Sequence, residues 1–239
     1  FKDLTEIRSL HREVEENRRL ASVGRLAAGI AHEIRNPLSS IKGFATYFKE
    51  KYQACDKDRE IAAILIQEVE RLDRVVGQLL AFARPLHLHR QATALRPLVQ
   101  DLFNLIERRS REDGIQLILK MANPDLCAVI DADKMRQVLL NLMLNALDAL
   151  PAGGTVTVQA CANGHAGIHL EIADTGRGID PGDQAHIFEP YFSTKTNGTG
   201  LGLAIVHNIV AAHRGSIEVH SHPGQGTAVR ITLPAAQEV

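Results

Sequence analysis

Residues 174–203 read DTGRGIDPGDQAHIFEPYFSTKTNGTGLGL. Before them, the alternating apolar residues of Ile168–Ala173 predict a strand, and at their end Leu201–His213 predicts a helix. Glycines after the strand let the backbone turn and approach a ligand closely. Glycines before the helix expose N–H groups at its positive end, which suits phosphate, although such a loop also suits a hinge. The stretch therefore predicts an α+β domain that carries a binding site here.

Glycine is concentrated around this stretch, since 13 of the 18 glycines fall between Gly153 and Gly226. The chain thus divides into a glycine-poor first half and a glycine-rich second half. In the second half the pattern predicts a mostly antiparallel sheet with helices on one face, and Asp131 or Asp133 as an N-cap. Besides the two elements above, the predicted ones are helices Arg96–Glu112 and Asp131–Leu150 and strands Ile115–Met121, Thr155–Ala160, Ile217–His220 and Thr227–Leu233.

The first half is predicted to be two helices joined by the polar turn Lys51–Asp58, with a kink at Pro37. Two apolar seams on the first helix imply neighbours on two sides, as in a four-helix bundle. Because two helices cannot close such a bundle alone, we expect a homodimer; a hairpin packed on the second domain is the alternative. The seams are Ile7, Leu10, Val14, Asn17, Ala21, Gly24, Ala28, Ala31 and Leu20, Val23, Ala27, Ile30, Ile34, Pro37, Ile41, Phe44, Phe48; the second helix has Ile61, Leu65, Val69, Leu72, Val75, Leu79, Phe82, Leu86.

The composition excludes several classes of protein. The chain has 239 residues, a net charge of -1 and 45 % hydrophobic residues, which argues against a nucleic-acid binder and against wholesale disorder. No apolar run reaches the roughly 20 residues that span a bilayer, and no secretory signal is evident. Three scattered cysteines form no zinc or disulfide framework, which favours a cytoplasmic location. Since the first residue is Phe1, we expect a fragment whose parent protein can carry a membrane anchor.

One chemical cluster lies in the first half, at His32, Glu33 and Asn36, immediately before Pro37. On a helix these three polar side chains share an exposed sector, and His32 and Asn36 are one turn apart. Glu33 can accept a hydrogen bond from one ring nitrogen of His32, which leaves the other nitrogen nucleophilic. The cluster therefore predicts a nucleophilic histidine.

Six motifs in order resemble those of the sensor histidine kinases of two-component systems, and their wording is most similar to the nitrogen-regulator and zinc-responsive sensor kinases. They cover the chain from about Leu20 to its end. The motifs are an H box His32–Leu38, an N box Asn141–Ala146, a first glycine box Asp174–Gly178, an F box Phe188–Phe192, a second glycine box Gly198–Leu203 and a terminal glycine motif Gly224–Thr227.

The resemblance implies that ATP phosphorylates His32, with Glu33 as the general base. The phosphoryl group then passes to an aspartate of a response-regulator receiver domain. Asn36 matches the position that places water for dephosphorylation of the regulator, so the protein is expected to be a bifunctional kinase and phosphatase. Whether phosphorylation occurs in cis or in trans within the homodimer stays open. No direct nucleic-acid partner and no membrane contact of this fragment are expected.

The nucleotide site is expected in the second half. Asn141 and Asn145 are one turn apart on a helix, and amide oxygens suit Mg²⁺; the resemblance gives Asn145 the direct Mg²⁺ contact. It makes Asp174 the acceptor for the adenine amine. Lys195, in the short ATP lid 194–197, either reaches a phosphate or is solvated. The remaining ATP-binding residues implied by the resemblance are Gly176, Gly178, Gly198, Thr199, Gly200, Leu201, Gly202 and Thr227.

The resemblance also implies a domain order. Residues 1–19 are expected to form a signalling helix that follows a missing PAS-like sensory domain. Phe1–Glu6 resembles the last strand of such a domain. Residues 20–88 form the dimerisation and phosphotransfer domain, and residues 89–239 form the catalytic ATP-binding domain, a sandwich of the gyrase, heat-shock and histidine-kinase type.

Three other interpretations were weighed. A gyrase-type or heat-shock-type ATPase shares this nucleotide fold, but it carries a glutamate base where this chain has Asn141, and an amide cannot act as a base. A degenerate kinase that serves only as a scaffold is disfavoured because every motif is intact. Metal binding by His87 and His89, or by His220 and His222, is disfavoured because no cysteine or carboxylate partner is evident.

Overall fold

The structure is a computed structural model that divides into two compact units, Phe1–Pro85 and Leu86–Val239. His32, Glu33 and Asn36 lie outside the described residues, as do the expected signalling helix, the PAS-like strand and the first seam. The described residues are Ile34, 37–48, 56–83, 86–150, 153–163, 167–195 and 198–234.

The first unit contributes two described helices, α1 (37–48) and α2 (Asp56–Ala83). Helix α2 begins inside the stretch 51–58 that was predicted to be a turn, because Asp56 and the residues after it already belong to the helix. Lys42 of α1 and Glu70 of α2 form an ion pair whose Nζ and Oε1 atoms are 2.7 Å apart. No helix among the described residues combines the length and apolar character that a membrane crossing requires.

Small and branched side chains of these helices are buried, whereas larger apolar ones face outward. The buried ones are Leu38, Ala45, Ala62, Val69 and Val76. The large exposed ones on the predicted seams are Ile41, Phe44, Phe48, Ile61, Leu65 and Leu72, with 46–65 % of each residue accessible. A row of apolar side chains at helical spacing that stays exposed within one chain is a surface that needs a partner.

The second unit is built on a five-stranded mixed sheet. One pair of neighbouring strands is parallel and the other neighbours are antiparallel. The α+β prediction is confirmed, and each of the predicted strands is present. In their order across the sheet, the strands are β2 (Ile115–Met121), β4 (Gly154–Asn163), β5 (Gly167–Asp174), β7 (Gly226–Leu233) and β6 (Ser216–His222), of which β2 and β4 are the parallel pair.

Three helices cover the apolar face of this sheet: α3 (Leu95–Glu112), α4 (Ala132–Ala149) and α6 (Gly202–Ala212). The buried side chains of β5 alternate along the strand, as Ile168, Leu170 and Ile172. The intervening residues form the polar face, where Glu171 accepts from Arg230 at 2.7 Å and His169 contacts Thr232 at 2.9 Å. The alternation therefore places the core between the sheet and the helices.

Three short elements were missed by the sequence prediction. Strands β1 (Gln91–Ala94) and β3 (Cys127–Ile130) form a separate two-stranded antiparallel sheet, and α5 (Pro181–Gln184) is a single turn. Each has only four residues, which is too short for the helical period of 3.6 residues or the strand period of 2 residues to be recognised. In addition, β1 is stabilised by pairing with a strand more than thirty residues away.

Asp131, one of the two residues predicted as an N-cap, caps the start of helix α4 at Ala132. Its Oδ1 accepts the N–H of Lys134 at 3.0 Å, and its Oδ2 accepts the N–H of His89 at 2.9 Å. The backbone N–H of Asp131 in turn donates to Nε2 of buried His213 at 3.1 Å. The Nδ1 atom of His213 lies 2.8 Å from the carbonyl oxygen of Ile209, so the ring is neutral with its proton on Nδ1.

The pKa values of both residues are perturbed. Burial lowers the pKa of His213, and the nearby charge of Arg90 lowers it further. Burial penalises the charged form of Asp131, but the N–H groups of Lys134 and His89 outweigh that penalty and lower its pKa overall. Asp131 and His213 thus hold together the start of α4, the end of α6 and the segment at His89 that leads into this unit. They do so with the ring of His213 in its neutral state.

This state predicts a pH dependence of stability. The unfolded histidine has a pKa of about 6.5, so the unfolded chain binds one more proton than the folded chain once the pH falls below that value. The free energy of unfolding should therefore decrease below pH 6.5 or so, by up to about 1.4 kcal/mol per pH unit. In His213→Gln, whose side-chain oxygen can accept from Asp131 without titrating, this part of the slope should disappear. Urea unfolding of the full chain between pH 5 and 8 measures it.

The matched control is His220→Gln, which changes an exposed histidine on β6 and should keep the wild-type slope. An identical pH dependence in wild type and His213→Gln would contradict the neutral assignment of the buried ring.

Candidate functional site

Asp174 is the last residue of β5 and is half-buried. Its Oδ1 accepts the N–H of Gly176 at 2.8 Å, and the N–H of Thr227 also donates to the carboxylate. Burial raises the pKa of Asp174 above its usual range, although these two hydrogen bonds oppose the rise. A carboxylate aligned by backbone donors at the end of a central strand can accept a hydrogen bond from an amine of a ligand.

The turn after Asp174 contacts two other elements through the backbone. The N–H of Arg177 donates to the carbonyl of Ala149 at the end of α4 (3.1 Å), and the carbonyl of Arg177 accepts from Gly224 in the β6–β7 turn (2.7 Å). A Cβ on Gly176 would lie 2.6 Å from the Ala149 oxygen, and one on Gly178 would lie 2.1 Å from the His222 oxygen. The glycine turn is therefore clamped between α4 and the β6–β7 turn.

Asn141 and Asn145 lie one turn apart on α4 and both are half-buried. Nδ2 of Asn141 donates to the carbonyl oxygen of Gly202 at 3.3 Å, which links α4 to the start of α6. Oδ1 of Asn145 accepts from Nζ of Lys195 at 2.8 Å. The two amides predicted to cooperate are thus brought together with Lys195 and the second glycine box.

The second glycine box leads into α6, which begins at Gly202 without a side-chain cap. Leu201 is fully buried and anchors the loop, while the Leu201 N–H lies 3.4 Å from Oγ1 of Thr199. Gly200 has a φ of +68°, and a Cβ there would meet the backbone of Tyr191 at 2.3 Å; the Tyr191 N–H donates to the Gly200 oxygen at 3.1 Å. The uncapped helix end can therefore offer N–H groups to an anion.

Two more glycines of this box differ in their surroundings. A Cβ on Gly198 would lie 2.2 Å from Oγ of Ser193, whereas nothing lies within 4 Å of the corresponding position on Gly202. The backbone of Gly202 is therefore open to a ligand on the side that its missing side chain leaves free.

Three aromatic residues of the F box, Phe188, Tyr191 and Phe192, precede Lys195. Only Tyr191 is exposed; Phe188 and Phe192 are half-buried. Phe188 stacks near His207 of α6 with ring centroids 5.6 Å apart, and Phe192 lies 5.8 Å from His186. They therefore pack the segment before Lys195 onto its own unit.

Sequence reasoning missed a charged group beside Asn145. Oδ2 of Asp148 accepts from Nζ of Lys195 at 2.7 Å, and its Oδ1 accepts from Nη2 of Arg109 at 2.5 Å. Burial tends to raise the pKa of Asp148, but the bonds from Lys195 and Arg109 lower it overall. The available signal was spacing, since a residue three positions after Asn145 lies on the same helix face.

The metal hypothesis at the histidine pairs gains no support. Among the described residues, no group of three or more histidine, cysteine, aspartate or glutamate side chains could hold a metal ion. Nε2 of His220 lies 3.8 Å from Oε2 of Glu218.

Comparison with known families defines the class of protein. Residues 130–237 match the family described as histidine kinase-, DNA gyrase B- and HSP90-like ATPase, and residues 22–87 match the His Kinase A (phospho-acceptor) domain. The phospho-acceptor domain followed by the ATPase domain is the arrangement of the sensor histidine kinases, and the chain belongs to this family. The predicted family is confirmed.

The particular relatives are sensor kinases. The chain is 44% identical over 229 residues to the sensor histidine kinase ZraS of Salmonella typhi, covering 94% of this chain and 49% of that protein. It is 36% identical over 235 residues to the signal transduction histidine-protein kinase AtoS of Escherichia coli K12, covering 98% of this chain and 38% of that protein. The ZraS match supports the expected subgroup. The chain spans about half or less of the length of these curated relatives.

Solved structures agree with the fold. Full-length ShkA in complex with AMPPNP superposes with a TM-score of 0.79 at 29% identity, covering 91% of this chain and 47% of that one. ThkA in complex with the response regulator protein TrrA gives a TM-score of 0.69 at 26% identity, covering 97% of this chain and 67% of that one.

The turn around Asp174 predicts a specific glycine requirement. Gly226 has a φ of +91°, and a Cβ there would lie 2.0 Å from the backbone oxygen of Asp174. Gly224 in the same turn has a φ of +73° with open space around it. Gly224→Ala should therefore lose only the backbone term, about 1–2 kcal/mol, whereas Gly226→Ala should lose clearly more and also weaken nucleotide binding. Thermal unfolding and equilibrium binding of a fluorescent nucleotide measure the two effects; equal losses in both variants would contradict the close approach.

Proposed function

We propose that this chain is the catalytic core of a sensor histidine kinase, which phosphorylates His32 with ATP and passes the phosphoryl group to an aspartate of a response regulator. The proposal depends on one observation. Helix α4 carries Asn141 and Asn145, and it contacts both the turn after Asp174 and the Gly198–Gly202 loop. The AMPPNP complex of ShkA and the regulator complex of ThkA support the same reading.

ATP is proposed to bind across α4. The carboxylate of Asp174 accepts from the exocyclic amine of adenine, and Gly176, Gly178 and Thr227 shape the turn around the base. Gly198, Thr199, Gly200, Leu201 and Gly202 offer the phosphates the uncapped start of α6. Helix N-termini bind phosphate because their first N–H groups are unpaired and the helix dipole is positive there.

The donor set on α4 fits a hard divalent cation. Oδ1 of Asn145 already accepts a hydrogen bond from a cationic group, and amide oxygen is a ligand type that Mg²⁺ takes. Asn145 would hold Mg²⁺, with Asn141 beside it, and the bound ion would offset negative charge on the phosphates. Asn141 donates to Gly202 and keeps the start of α6 against α4.

Phosphorylation needs a nucleophile with a free nitrogen. Glu33 is proposed to accept the ring proton of His32, so that the other nitrogen attacks the γ-phosphorus in line. The new bond joins this nitrogen to phosphorus, and the bond to the oxygen that leaves with ADP breaks. The phosphohistidine then gives the same group to the carboxylate of the regulator, and the imidazole is regenerated.

The domain order is proposed to be a signalling helix in residues 1–19, a dimerisation and phosphotransfer domain in residues 20–88 and the ATP-binding domain in residues 89–239. Homodimer formation is supported by the apolar side chains that α1 and α2 leave exposed, such as Phe44 and Ile61. A two-helix hairpin buries these positions only when a second copy completes the bundle.

The phosphoryl acceptor can be tested directly. His32→Ala should lose all label from γ-³²P-ATP while nucleotide affinity persists, because the acceptor and the nucleotide site belong to different domains. Asp174→Asn should lose both nucleotide affinity and label, and His220→Ala should keep both. A label that survives acid, or that persists in His32→Ala, would contradict a phosphohistidine at this position.

Phosphatase activity is the second part of the proposal and depends on Asn36. Its amide, one turn after His32, is proposed to place the water that attacks the phosphorylated regulator. Asn36→Ala should therefore retain autophosphorylation and lose roughly a hundredfold or more in regulator dephosphorylation, in the range of one positioned catalytic group. The rates of both reactions with one receiver domain measure this; an unchanged phosphatase rate would remove Asn36 from the role.

A further inference from the structure

The ammonium group of Lys195 donates a hydrogen bond to the amide oxygen of Asn145, which the proposed function assigns to Mg²⁺ as a ligand. Its Nζ lies 2.8 Å from Oδ1 of Asn145 and 2.7 Å from Oδ2 of Asp148. The ammonium group is therefore held between two oxygens of α4, three residues apart on one helix face. Lys195 itself comes from the segment that follows the F box, so the contact joins two distant parts of the chain.

The carboxylate of Asp148 is fixed from the other side by Arg109 of α3, which donates to Oδ1 at 2.5 Å. Asp148 thus uses one oxygen for each cation. The side chains of Lys195 and Asp148 are only 30% and 34% accessible, so this network is more sheltered than an ordinary surface ion pair. The pKa of Asp148 is lowered overall by these contacts, against the effect of burial, and the group stays ionised at neutral pH.

An ammonium group and Mg²⁺ exclude each other at this position. A magnesium ion held by Oδ1 of Asn145 would need its oxygen ligands at about 2.0–2.1 Å, closer than the 2.8 Å at which Nζ of Lys195 lies from the same oxygen. Two cations at such a distance also repel each other strongly in a partly buried site. Only one of them can use Oδ1 of Asn145.

We propose that Asp148 is a positioning residue that holds Lys195 against Oδ1 of Asn145, the proposed magnesium ligand, as a tethered cation that Mg²⁺-nucleotide must displace. The proposal rests on the proposed function, because it takes Asn145 as the magnesium ligand. On binding, the ammonium leaves Asn145 and is free to meet the phosphates. Asp148 thereby sets how readily the site accepts a metal–nucleotide complex.

The contact itself can be measured without any nucleotide. In the full chain, amine labelling followed by mass spectrometry should show Lys195 reacting slowly, because Asp148 and Asn145 keep its ammonium hydrogen-bonded. Asp148→Asn should raise the rate roughly threefold or more, the size of a partly sheltered ion pair. Asp133→Asn, on the first turn of α4, is the matched control, and exposed Lys120 is the internal reference.

The consequence for binding is tested with Mg²⁺-ADP, which lacks the γ-phosphate. Asp148→Asn and Lys195→Met should each tighten Mg²⁺-ADP binding by roughly threefold, because each frees Asn145. The double variant should be no tighter than either single one, since both remove the same contact. The affinity for ADP in excess chelator should change little in all three.

The outcomes separate the possibilities. Weaker Mg²⁺-ADP binding in Asp148→Asn would mean that Asp148 assists the metal, and unchanged binding would mean that the ion pair has no role; either overturns the proposal. Full additivity in the double variant would overturn it as well. If wild type bound ADP but showed no dependence on Mg²⁺, Asn145 would lose its metal role, and the proposed function would fail at that residue while the labelling result still reported on Asp148.

Discussion

The burial of α4 against the sheet is the constraint on which the candidate site depends. One face of the helix is fully packed, through Met135, Leu139, Met143 and Leu147, so its orientation cannot rotate without exposing core side chains. The opposite face then has to present Asn141, Asn145 and Asp148 in a line. The end of the same helix offers the carbonyl of Ala149 to the turn after Asp174. One buried helix thus orients the proposed base-binding end and the proposed phosphate-binding end together.

The electrostatics of the site follow from this placement. Asp174 is desolvated and held by backbone donors, whereas Asp148 is partly sheltered and held by two cationic side chains. The pKa of Asp174 is therefore raised and that of Asp148 is lowered. Asp174 is thus suited to a neutral hydrogen-bonding partner, and Asp148 is suited to an exchangeable cation. A third carboxylate, Asp131, is a structural one that caps α4 and fixes the tautomer of His213 through its backbone N–H.

The helical unit poses the opposite problem, because its apolar surface exceeds what one chain buries. Small residues such as Ala45 and Ala62 are buried, while Phe44 and Ile61 remain exposed. A domain that leaves large side chains outside at helical spacing is stable only when another surface covers them. The proposed dimer would cover these side chains and present His32 on the same bundle.

The sequence by itself determined the elements with strong periods and the order of the motifs. Strand Ile115–Met121 has the predicted bounds, and α3, α4 and α6 end within one or two residues of their predicted limits, because each buries a regular apolar stripe. The roles of His32, Glu33 and Asn36 stay predictions. Only the tertiary structure decided the β1–β3 pairing, the burial of His213 and the capture of Lys195 by Asp148. These contacts join residues 33 to 82 positions apart and depend on how layers stack, which local periodicity does not encode.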